Sequence, residues 1–188
     1  MNSRGRSDDP VDHSALAVSD LDHADGPANA PATLLVYGDY ECPYTRAAHV
    51  AIRRVQPRLA GLVRYVYRHF PLRAIHSHAQ HAAEMSEVAN AAGKFWPMHD
   101  HLFRHQGALE DADLVRYATD VGIDAARARD ALASHAHVGR VDADVRSALD
   151  LGVRGTPTLF INGVRYTGDR GVPALEHALR ESTARRTA

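Results

Sequence analysis

The sequence predicts an α/β fold, with one small mixed β-sheet, helices on both faces and an all-helical subdomain inserted between the two halves of the sheet. Two observations predict it. Short apolar, β-branched runs typical of strands occur at residues 32–37, 62–70 and 158–161, toward the two ends of the chain. Helical patterns fill residues 75–151 between them, a stretch too long to be a loop. With 188 residues, of which 45% are hydrophobic, the chain can bury one core with an inserted subdomain.

The first half of the sheet begins with a buried strand at residues 32–37, which Gly38 and Asp39 stop. A helix follows from Pro43 to about Leu59, because alanine, isoleucine and valine recur on one helical face there. The second strand covers residues 62–70. Since two consecutive parallel strands need a crossover connection, the helix between them predicts a βαβ unit.

The second half of the sheet follows the helical block. Its strand at residues 158–161 leads into Asn162-Gly163, a pair typical of a tight hairpin turn, and then into a return strand at 164–166. Such a hairpin joins the sheet antiparallel, which makes the sheet mixed. Residues 172–182 predict a closing helix. Within the block, glycines 93, 122 and 152 end helices that are predicted to begin near residues 79, 95, 113, 124 and 137.

This order of elements predicts three regions. Residues 1–30 are polar and rich in Asp, Gly, Ser and Pro, and we expect a flexible segment in which residues 16–18 could add a short strand. Residues 31–73 and 152–188 are expected to form the sheet domain. Residues 74–151 are expected to form the inserted helical subdomain.

Whole-chain properties exclude several classes of function. The net charge of −1 predicts no surface for nucleic acid or for an anionic membrane, and no run is long and apolar enough to span a bilayer. The N-terminal residues carry no apolar segment of a secretion signal. A single cysteine excludes an intramolecular disulfide and fits a reducing compartment, so we expect a cytoplasmic protein.

Cys42, the only cysteine, is the leading candidate for a reactive group. Proline is favoured at the first helical position, so Pro43 places Cys42 at the helix N-cap. There the sulfur should face the free backbone N–H groups of Tyr44 and Thr45 and the positive end of the helix dipole, which favour the nucleophilic thiolate. The Thr45 hydroxyl, one turn along the helix, can also donate to the sulfur.

Two considerations oppose a reactive thiol at this position. Asp39 and Glu41 flank Cys42 with negative charge, which disfavours a thiolate and leaves the net effect open. A lone cysteine is also often a small buried hydrophobe. The context of a strand, then Cys-Pro, then a helix favours the functional thiol.

Four segments resemble those of a known family. They are residues 37–44 (YGDYECPY), 68–72 (RHFPL), 93–100 (GKFWPMHD) and 152–163 (GVRGTPTLFING). With these segments in this order, the chain resembles DsbA-type thioredoxin-fold oxidoreductases over about residues 22–179. The resemblance implies a thioredoxin-like fold and thiols or disulfides of proteins or peptides as partners.

The resemblance also implies which residues meet the substrate. In that family the proline that matches Pro157 is cis and faces the active-site cysteine, and the residue before it, here Thr156, presents backbone groups to an extended peptide. Pro43 and Tyr44, which follow the thiol, are expected to contact the same substrate.

The helical insertion of that family covers the active site and shapes an apolar groove. Phe95, Trp96 and Met98 of this chain either line such a groove or form the ordinary core of the subdomain. The residues leave both interpretations open.

Thr45 is the departure from the family pattern. Members that oxidise or isomerise protein disulfides carry a second cysteine there, the thiol that expels a bound substrate. Without it, Cys42 can attack a disulfide or a mixed disulfide, but an external low-molecular-weight thiol must complete the reaction. We therefore predict monothiol chemistry with Cys42 and Thr45 as catalytic residues, no bound cofactor, and glutathione or mycothiol as a possible co-substrate.

Other interpretations of the lone cysteine stay open. A thioredoxin scaffold without its second cysteine could have kept only the binding of a peptide or partner. A glutathione-dependent isomerase or transferase on a similar fold is a further alternative, which the intact C-P-Y sequence disfavours. Thr45 could also be an engineered replacement.

Histidine is abundant, with 13 residues. Because no cysteine joins them and zinc needs three or four ligands, we interpret the histidines at positions 76, 78, 81, 101 and 105 as surface or helix-capping residues and predict no metal site. His49 and His69 lie nearer the expected thiol. Either could tune its charge, although solvated packing is the simpler interpretation.

Overall fold

The computed structural model describes residues 16–187 and contains one five-stranded mixed sheet in the order β1-β3-β2-β4-β5. Strands β2 and β3 run parallel, with Leu34 opposite Tyr65, and the other three pairings are antiparallel. The strands are β1 (His23–Asp25), β2 (Ala32–Gly38), β3 (Val63–His69), β4 (Thr158–Ile161) and β5 (Val164–Tyr166).

Seven helices accompany this sheet in the described part of the chain. One connects β2 to β3, five lie between β3 and β4, and one closes the chain. They are α1 (Pro43–Val55), α2 (Ala79–Asn90), α3 (Phe95–Arg104), α4 (Asp111–Asp120), α5 (Ala125–Ala133), α6 (Val138–Asp150) and α7 (Val172–Thr187).

Helix α1 is shorter than the pattern predicts. Its regular turns end at Val55, and residues Gln56–Leu59 continue as a single 3₁₀ turn. Pro57 accounts for the change, because proline has no N–H for an α-helical bond and its ring crowds the preceding turn. Helix α7, by contrast, extends beyond the predicted end near residue 182.

The sheet buries side chains on both faces, as the alternation of residues along a strand requires. On one face, Leu34 and Val36 of β2 share a core with α1, α7 and the inserted helices α2 to α5. On the other, Leu35 and Tyr37 pack with Ala148 of α6. The apolar core therefore continues from the sheet into the insertion, and α6 covers the opposite face.

The N-terminal region needs a correction. Residues 16–18 form no strand, whereas His23–Asp25 pair with β3 at the sheet edge. The guanidinium of Arg68 donates to the Asp22 carboxylate at 2.6 Å and to the carbonyl of Ala17 at 2.8 Å. These contacts fix the second part of a segment that composition alone predicts to be flexible; residues 1–15 lie outside the described range.

No helix within residues 16–187 combines the length and the apolar character needed to cross a membrane.

Candidate active site

The turn between β2 and α1 carries Cys42. It depends on Gly38, which has no side chain and so allows other groups to approach closely. A Cβ atom added at Gly38 would lie 2.5 Å from Cε2 of Tyr67 and 2.9 Å from Cγ2 of Thr45. Only glycine leaves room for both side chains, so it lets the first turn of α1 pack directly against β3.

Cys42 is the N-cap residue of α1, as the Cys-Pro sequence predicts, with φ −76° and ψ 119°. Its Sγ donates a hydrogen bond to the carbonyl oxygen of Thr156 at 3.4 Å. The Thr156–Pro157 peptide bond is cis. The structure thus brings the thiol and the Thr156-Pro157 turn together across more than a hundred residues of sequence.

The expected capping bond is absent. The side chain of Cys42 accepts no hydrogen bond from the first turn of α1. A protonated thiol is a hydrogen-bond donor, so it points its proton at the carbonyl of Thr156 instead of accepting from the N–H groups of Tyr44 or Thr45.

Thr45 is buried beside the thiol but is not bonded to it. Its hydroxyl oxygen accepts the backbone N–H of Asp39 at 3.5 Å, and no hydrogen bond to Sγ accompanies this contact among residues 16–187. The expected donation from Thr45 to the sulfur is therefore not made in this state of the protein.

The two acidic residues that flank Cys42 hold the turn in place. One Asp39 oxygen accepts the N–H of Glu41 at 2.7 Å, and the other accepts the N–H of Leu72 and Nδ1 of His76, both at 2.8 Å. Glu41 accepts the N–H of His78 at 2.8 Å. The carboxylates are thus engaged by the 72–78 segment as well as lying near the sulfur.

Gln106 is a contributor that the sequence does not reveal. From the loop after α3, its Nε2 donates to the carbonyl of Tyr40 at 2.7 Å and to that of Cys42 at 2.9 Å. A single amide thereby ties both sides of the turn to the helical insertion. No sequence pattern marks a lone glutamine for this role, because its partners lie more than sixty residues away.

The residues that are predicted to contact the substrate differ in how far they are exposed to solvent. Pro43 and Tyr44 are exposed, and Tyr44 exposes 72% of its surface. Thr156 is half-buried, and its Oγ1 has no partner among the described residues. Pro157 is buried. An exposed aromatic ring and an accessible strand start therefore border the buried sulfur.

The aromatic residues of α3 belong to the core. Phe95 and Met98 are buried in the main cluster, and Trp96 packs against it. Of the two interpretations left open by the sequence, the structure supports subdomain core for these residues.

A buried carboxylate joins two histidines behind this site. Glu87 Oε1 lies 2.6 Å from Nε2 of His23 and 2.9 Å from Nε2 of His69. Burial tends to raise the pKa of Glu87, but the hydrogen bonds from the two imidazoles outweigh it and hold that pKa well below the ordinary value. Burial lowers the pKa of His23, so this ring acts as a neutral donor to the carboxylate.

A second histidine pair joins α1 to α3, with the ring centroids of His49 and His99 5.0 Å apart. His99 Nδ1 is 2.9 Å from the Tyr40 hydroxyl, and His49 Nε2 is 3.4 Å from Asp100. Burial is the main cause that lowers the pKa of His49 to about 4 and that of His99 well below its ordinary value. His49 and His69 are both buried, which corrects the expectation of solvated packing.

Two of these groups have the donor atoms of a metal site, namely His23 with His69 and Glu87, and His49 with His99 and Asp100. In each, an arginine stands beside the carboxylate. Arg53 donates to Asp100 at 2.8 Å, and Arg140 lies 3.9 Å from Glu87. A guanidinium in that position opposes a second cation.

The five histidines at positions 76, 78, 81, 101 and 105 lie nearer the surface, and each contacts a neighbour. His76 and His78 bind the acidic residues of the Cys42 turn, and His81 lies 2.6 Å from Asp111. His101 and His105 face each other with ring centroids 4.3 Å apart. The sequence does not predict that the first two serve the thiol turn.

Comparison with known proteins gives the family. The family model described as Thioredoxin matches residues 19–181. The chain belongs to the thioredoxin family. A Salinispora tropica protein named Na(+)/H(+) antiporter NhaA 3 is 42% identical over 180 residues, which are 96% of this chain and 28% of that protein. This thioredoxin-family chain therefore spans little more than a quarter of the length of that relative.

Solved structures share the fold of this thioredoxin-family chain. Wolbachia pipientis alpha-DsbA1 superimposes with a TM-score of 0.81 at 18% identity, covering 93% of this chain and 97% of that one. A thioredoxin-like oxidoreductase from Silicibacter pomeroyi gives a TM-score of 0.73 at 24% identity, covering 90% and 95%. The predicted thioredoxin-like α/β fold of the DsbA type, with a helical insertion, is confirmed.

Proposed function

We propose that this protein is a thiol-disulfide oxidoreductase that acts by monothiol chemistry. The observation that carries the proposal is the placement of Cys42. Its thiol lies at the start of α1, against the carbonyl of Thr156, and this sequence has no second cysteine, with Thr45 in the position of the resolving one. The DsbA-type fold of the structural neighbours supports the same reaction class, and the Silicibacter pomeroyi neighbour is itself described as an oxidoreductase.

The reaction consists of two thiol-disulfide exchanges. Cys42 first loses its proton, and the thiolate attacks the small-thiol sulfur of a protein mixed disulfide. A bond forms between Cys42 and the small thiol, and the protein sulfur leaves as a thiolate that takes up a proton. A second small thiol then attacks this bond, releases a symmetrical disulfide and restores Cys42. Each cycle reduces the protein sulfur to a thiol and oxidises one free small thiol, which leaves in a disulfide with the small thiol taken from the protein.

The substrate in this proposal is a disulfide or a small-thiol adduct on a protein or peptide, and glutathione or mycothiol is the co-substrate. A peptide strand could pair with the backbone of Thr156, since the residue is half-buried and lies two residues before β4. Neither nucleic acid nor a membrane surface has a part in the reaction. We propose a reducing, cytoplasmic compartment, because a monothiol mechanism needs reduced small thiols.

The direct test follows the deglutathionylation of a glutathionylated peptide in the presence of excess glutathione, and repeats it with mycothiol and coenzyme A. We expect turnover by the wild-type protein and none above background for Cys42→Ser. Mass spectrometry of the wild-type protein isolated without reductant should show a small-thiol adduct on Cys42. If none of the three thiols supports turnover above the Cys42→Ser control, the proposal fails.

Thr45→Cys provides a matched control for the monothiol step. It restores a C-P-Y-C pair on the first turn of α1, so the second thiol should expel a bound substrate and leave an intramolecular disulfide. Release from Cys42 should then no longer depend on the concentration of external thiol. In the wild-type protein, release should rise in proportion to that concentration.

The burial of the sulfur supports a second candidate, a partner-binding protein without turnover. Only 3% of the surface of Cys42 is exposed, so exchange requires the side chain to move. A binding protein should recover the same partners from a lysate whether residue 42 is cysteine or serine. Loss of those partners in the Cys42→Ser variant would exclude this candidate.

A further inference from the structure

One face of α1 leads from the thiol into a pocket. Cys42, Arg46, His49 and Arg53 follow one another at spacings of four, three and four residues, which places them on the same side of the helix. Helix α3 forms the opposite wall. The pocket between the two helices has a volume of about 410 Å³. Its lining includes Arg46, His49, Arg53, Asp100, Phe103 and Arg104.

The charges of this pocket do not cancel. Arg53 is matched by acidic partners, with contacts of 3.1 Å to Asp25 and 2.8 Å to Asp100. Arg46 and Arg104 are both exposed, and neither forms an ion pair with another residue in the range 16–187. Two guanidiniums at the mouth of the pocket are thus available to an anion.

His49, which also lines the pocket, adds no positive charge. The buried ring of His49, whose pKa burial lowers to about 4, is neutral near pH 7. It stacks on Phe103 with ring centroids 4.5 Å apart, and its Nδ1 has no partner among the described residues. The pocket therefore has a neutral wall and a positively charged mouth.

The pocket also lies within reach of a molecule bonded to Cys42. The N–H of Arg46 donates to the carbonyl of Cys42 at 3.1 Å, and four residues of helix rise by about 6 Å. Arg104 precedes Gln106 by two residues, and Gln106 itself holds the Cys42 carbonyl. Both arginines therefore belong to segments that contact the backbone of Cys42 directly.

We propose that Arg46 and Arg104 form a subsite for the oxyanion of the small thiol that exchanges with Cys42, so that the co-thiol is an anionic one that carries a carboxylate or phosphate. This inference rests on the proposed monothiol function and narrows it. An uncharged thiol of similar size gains nothing from the two arginines.

The first measurement needs no reaction at Cys42. Binding of S-methylglutathione, whose sulfur cannot exchange, is followed by NMR titration of the wild-type protein and of Arg46→Gln, Arg104→Gln and the double variant. We expect each single substitution to weaken binding about threefold and the double substitution about tenfold. Higher salt should weaken the wild-type complex in the same direction.

The second measurement uses exchange. We compare the rate at which Cys42 reacts with dithiodipropionate, an anionic disulfide, with its rate on the neutral hydroxyethyl disulfide. Each rate is divided by the rate of a free cysteine peptide with the same disulfide, which corrects for the intrinsic reactivity of that disulfide. The corrected preference for the anion should fall about tenfold in the double variant. Glutathione disulfide and coenzyme A disulfide then separate a carboxylate from a phosphate as the favoured oxyanion.

Arg54→Gln is the matched control, because Arg54 is an exposed arginine on the same helix that does not line this pocket. Arg54→Gln should leave the affinity for S-methylglutathione and the preference for the anionic disulfide within about twofold of the wild type. A carboxylate subsite is excluded if S-methylglutathione does not bind, and the subsite as a whole is excluded if the double variant keeps the wild-type preference for anionic disulfides. It is also excluded if Arg54→Gln causes the same loss.

The outcomes separate the two proposals. Exchange with neutral disulfides but no preference for anions would overturn the subsite and leave monothiol chemistry intact. Arginine-dependent binding of S-methylglutathione without any exchange above Cys42→Ser would support the anion site and overturn the proposed reaction.

Discussion

The Cys42 turn and the cluster of His23, Glu87 and His69 both concentrate polar groups inside the protein, yet they use their carboxylates differently. In the cluster, one oxygen of Glu87 binds two imidazole rings, so side chains satisfy each other. In the turn, Asp39 binds mainly backbone N–H groups and thereby fixes the path of the chain. The sulfur that this path surrounds has a single hydrogen bond of 3.4 Å.

The difference assigns separate roles to the two regions. The cluster connects β1, β3 and α2, and its groups are fully enclosed, so its loss should affect stability alone. The turn holds its backbone rigidly and leaves the thiol weakly bound. Changes there should affect exchange more than stability. Single substitutions in each region can test that division.

The largest effect is expected on removing the shared carboxylate. Glu87→Ala leaves two buried imidazoles without their acceptor and removes the carboxylate that lies 3.9 Å from Arg140, so the free energy of unfolding should fall by about 3–5 kcal/mol. Urea denaturation at pH 7 measures it. The rate of exchange with neutral hydroxyethyl disulfide, corrected for the folded fraction, should stay within about twofold of the wild type.

Glu110→Ala is the control for this change, because Glu110 is exposed and its side chain makes no capping bond to α4. Its effect should stay within about 0.5 kcal/mol. A large loss of exchange in folded Glu87→Ala protein would show that the cluster also serves the thiol.

The next largest effect is expected in the pH dependence of the free energy of unfolding. Burial lowers the pKa of His49 to about 4 from an unfolded value near 6.5. The unfolded chain therefore binds the proton first, and the stability that neutral His49 provides is complete above about pH 6.5 and is lost as the pH falls toward 4. This shift corresponds to roughly 3 kcal/mol, of which the part between pH 7.5 and pH 4.5 is smaller.

His49→Phe tests this dependence, because phenylalanine can keep the stacking on Phe103 but has no proton to bind. The decrease in the free energy of unfolding between pH 7.5 and pH 4.5 should be smaller in the variant by about 2 kcal/mol. His177→Phe, at an exposed position of α7, should keep the wild-type decrease. An unchanged pH dependence in His49→Phe would contradict the assigned cause.

The Cys42 turn and the cluster of His23, Glu87 and His69 also differ in how far the sequence predicts them. The strand β2, the N-cap position of Cys42 and the start of α1 at Pro43 follow from local rules of strand pattern and proline preference. The cis-proline side of the site is indicated by the family resemblance alone. Local patterns thus predict where the thiol lies but not which groups hold its turn.

What the sequence leaves unpredicted depends on contacts between distant residues. His23 and Glu87 are separated by 64 positions, and Gln106 and Tyr40 by 66. Strand β1 has three residues and no apolar alternation, so only its pairing with β3 reveals it. The predicted bonds from the first turn of α1 to Sγ are not formed, because Sγ lies against the carbonyl of the distant Thr156 instead.

A smaller effect is expected at Gln106. Gln106→Leu keeps the approximate shape of the side chain and removes both bonds to the turn, so stability should fall by about 1–2 kcal/mol. If the turn must be held for reaction, the rate of Cys42 exchange with hydroxyethyl disulfide should fall about threefold as well. Gln106→Glu, which has no N–H donor for the two carbonyls, should lose more than the leucine variant. Equal exchange rates in all three proteins would confine Gln106 to a stabilising role.

The smallest effect is expected at Thr45. Thr45→Val keeps the branched shape and removes only a 3.5 Å hydrogen bond from Asp39, so the free energy of unfolding should change by less than about 1 kcal/mol. When Sγ becomes a thiolate it turns from donor to acceptor, and the Thr45 hydroxyl is then free to donate to it. Exchange should therefore slow about threefold in Thr45→Val and stay near the wild-type rate in Thr45→Ser, which keeps the hydroxyl. Stopped-flow exchange with hydroxyethyl disulfide measures both. If the valine variant reacts as fast as wild type, Thr45 acts only by packing against Gly38 and Tyr67, and the catalytic role predicted for its hydroxyl is wrong.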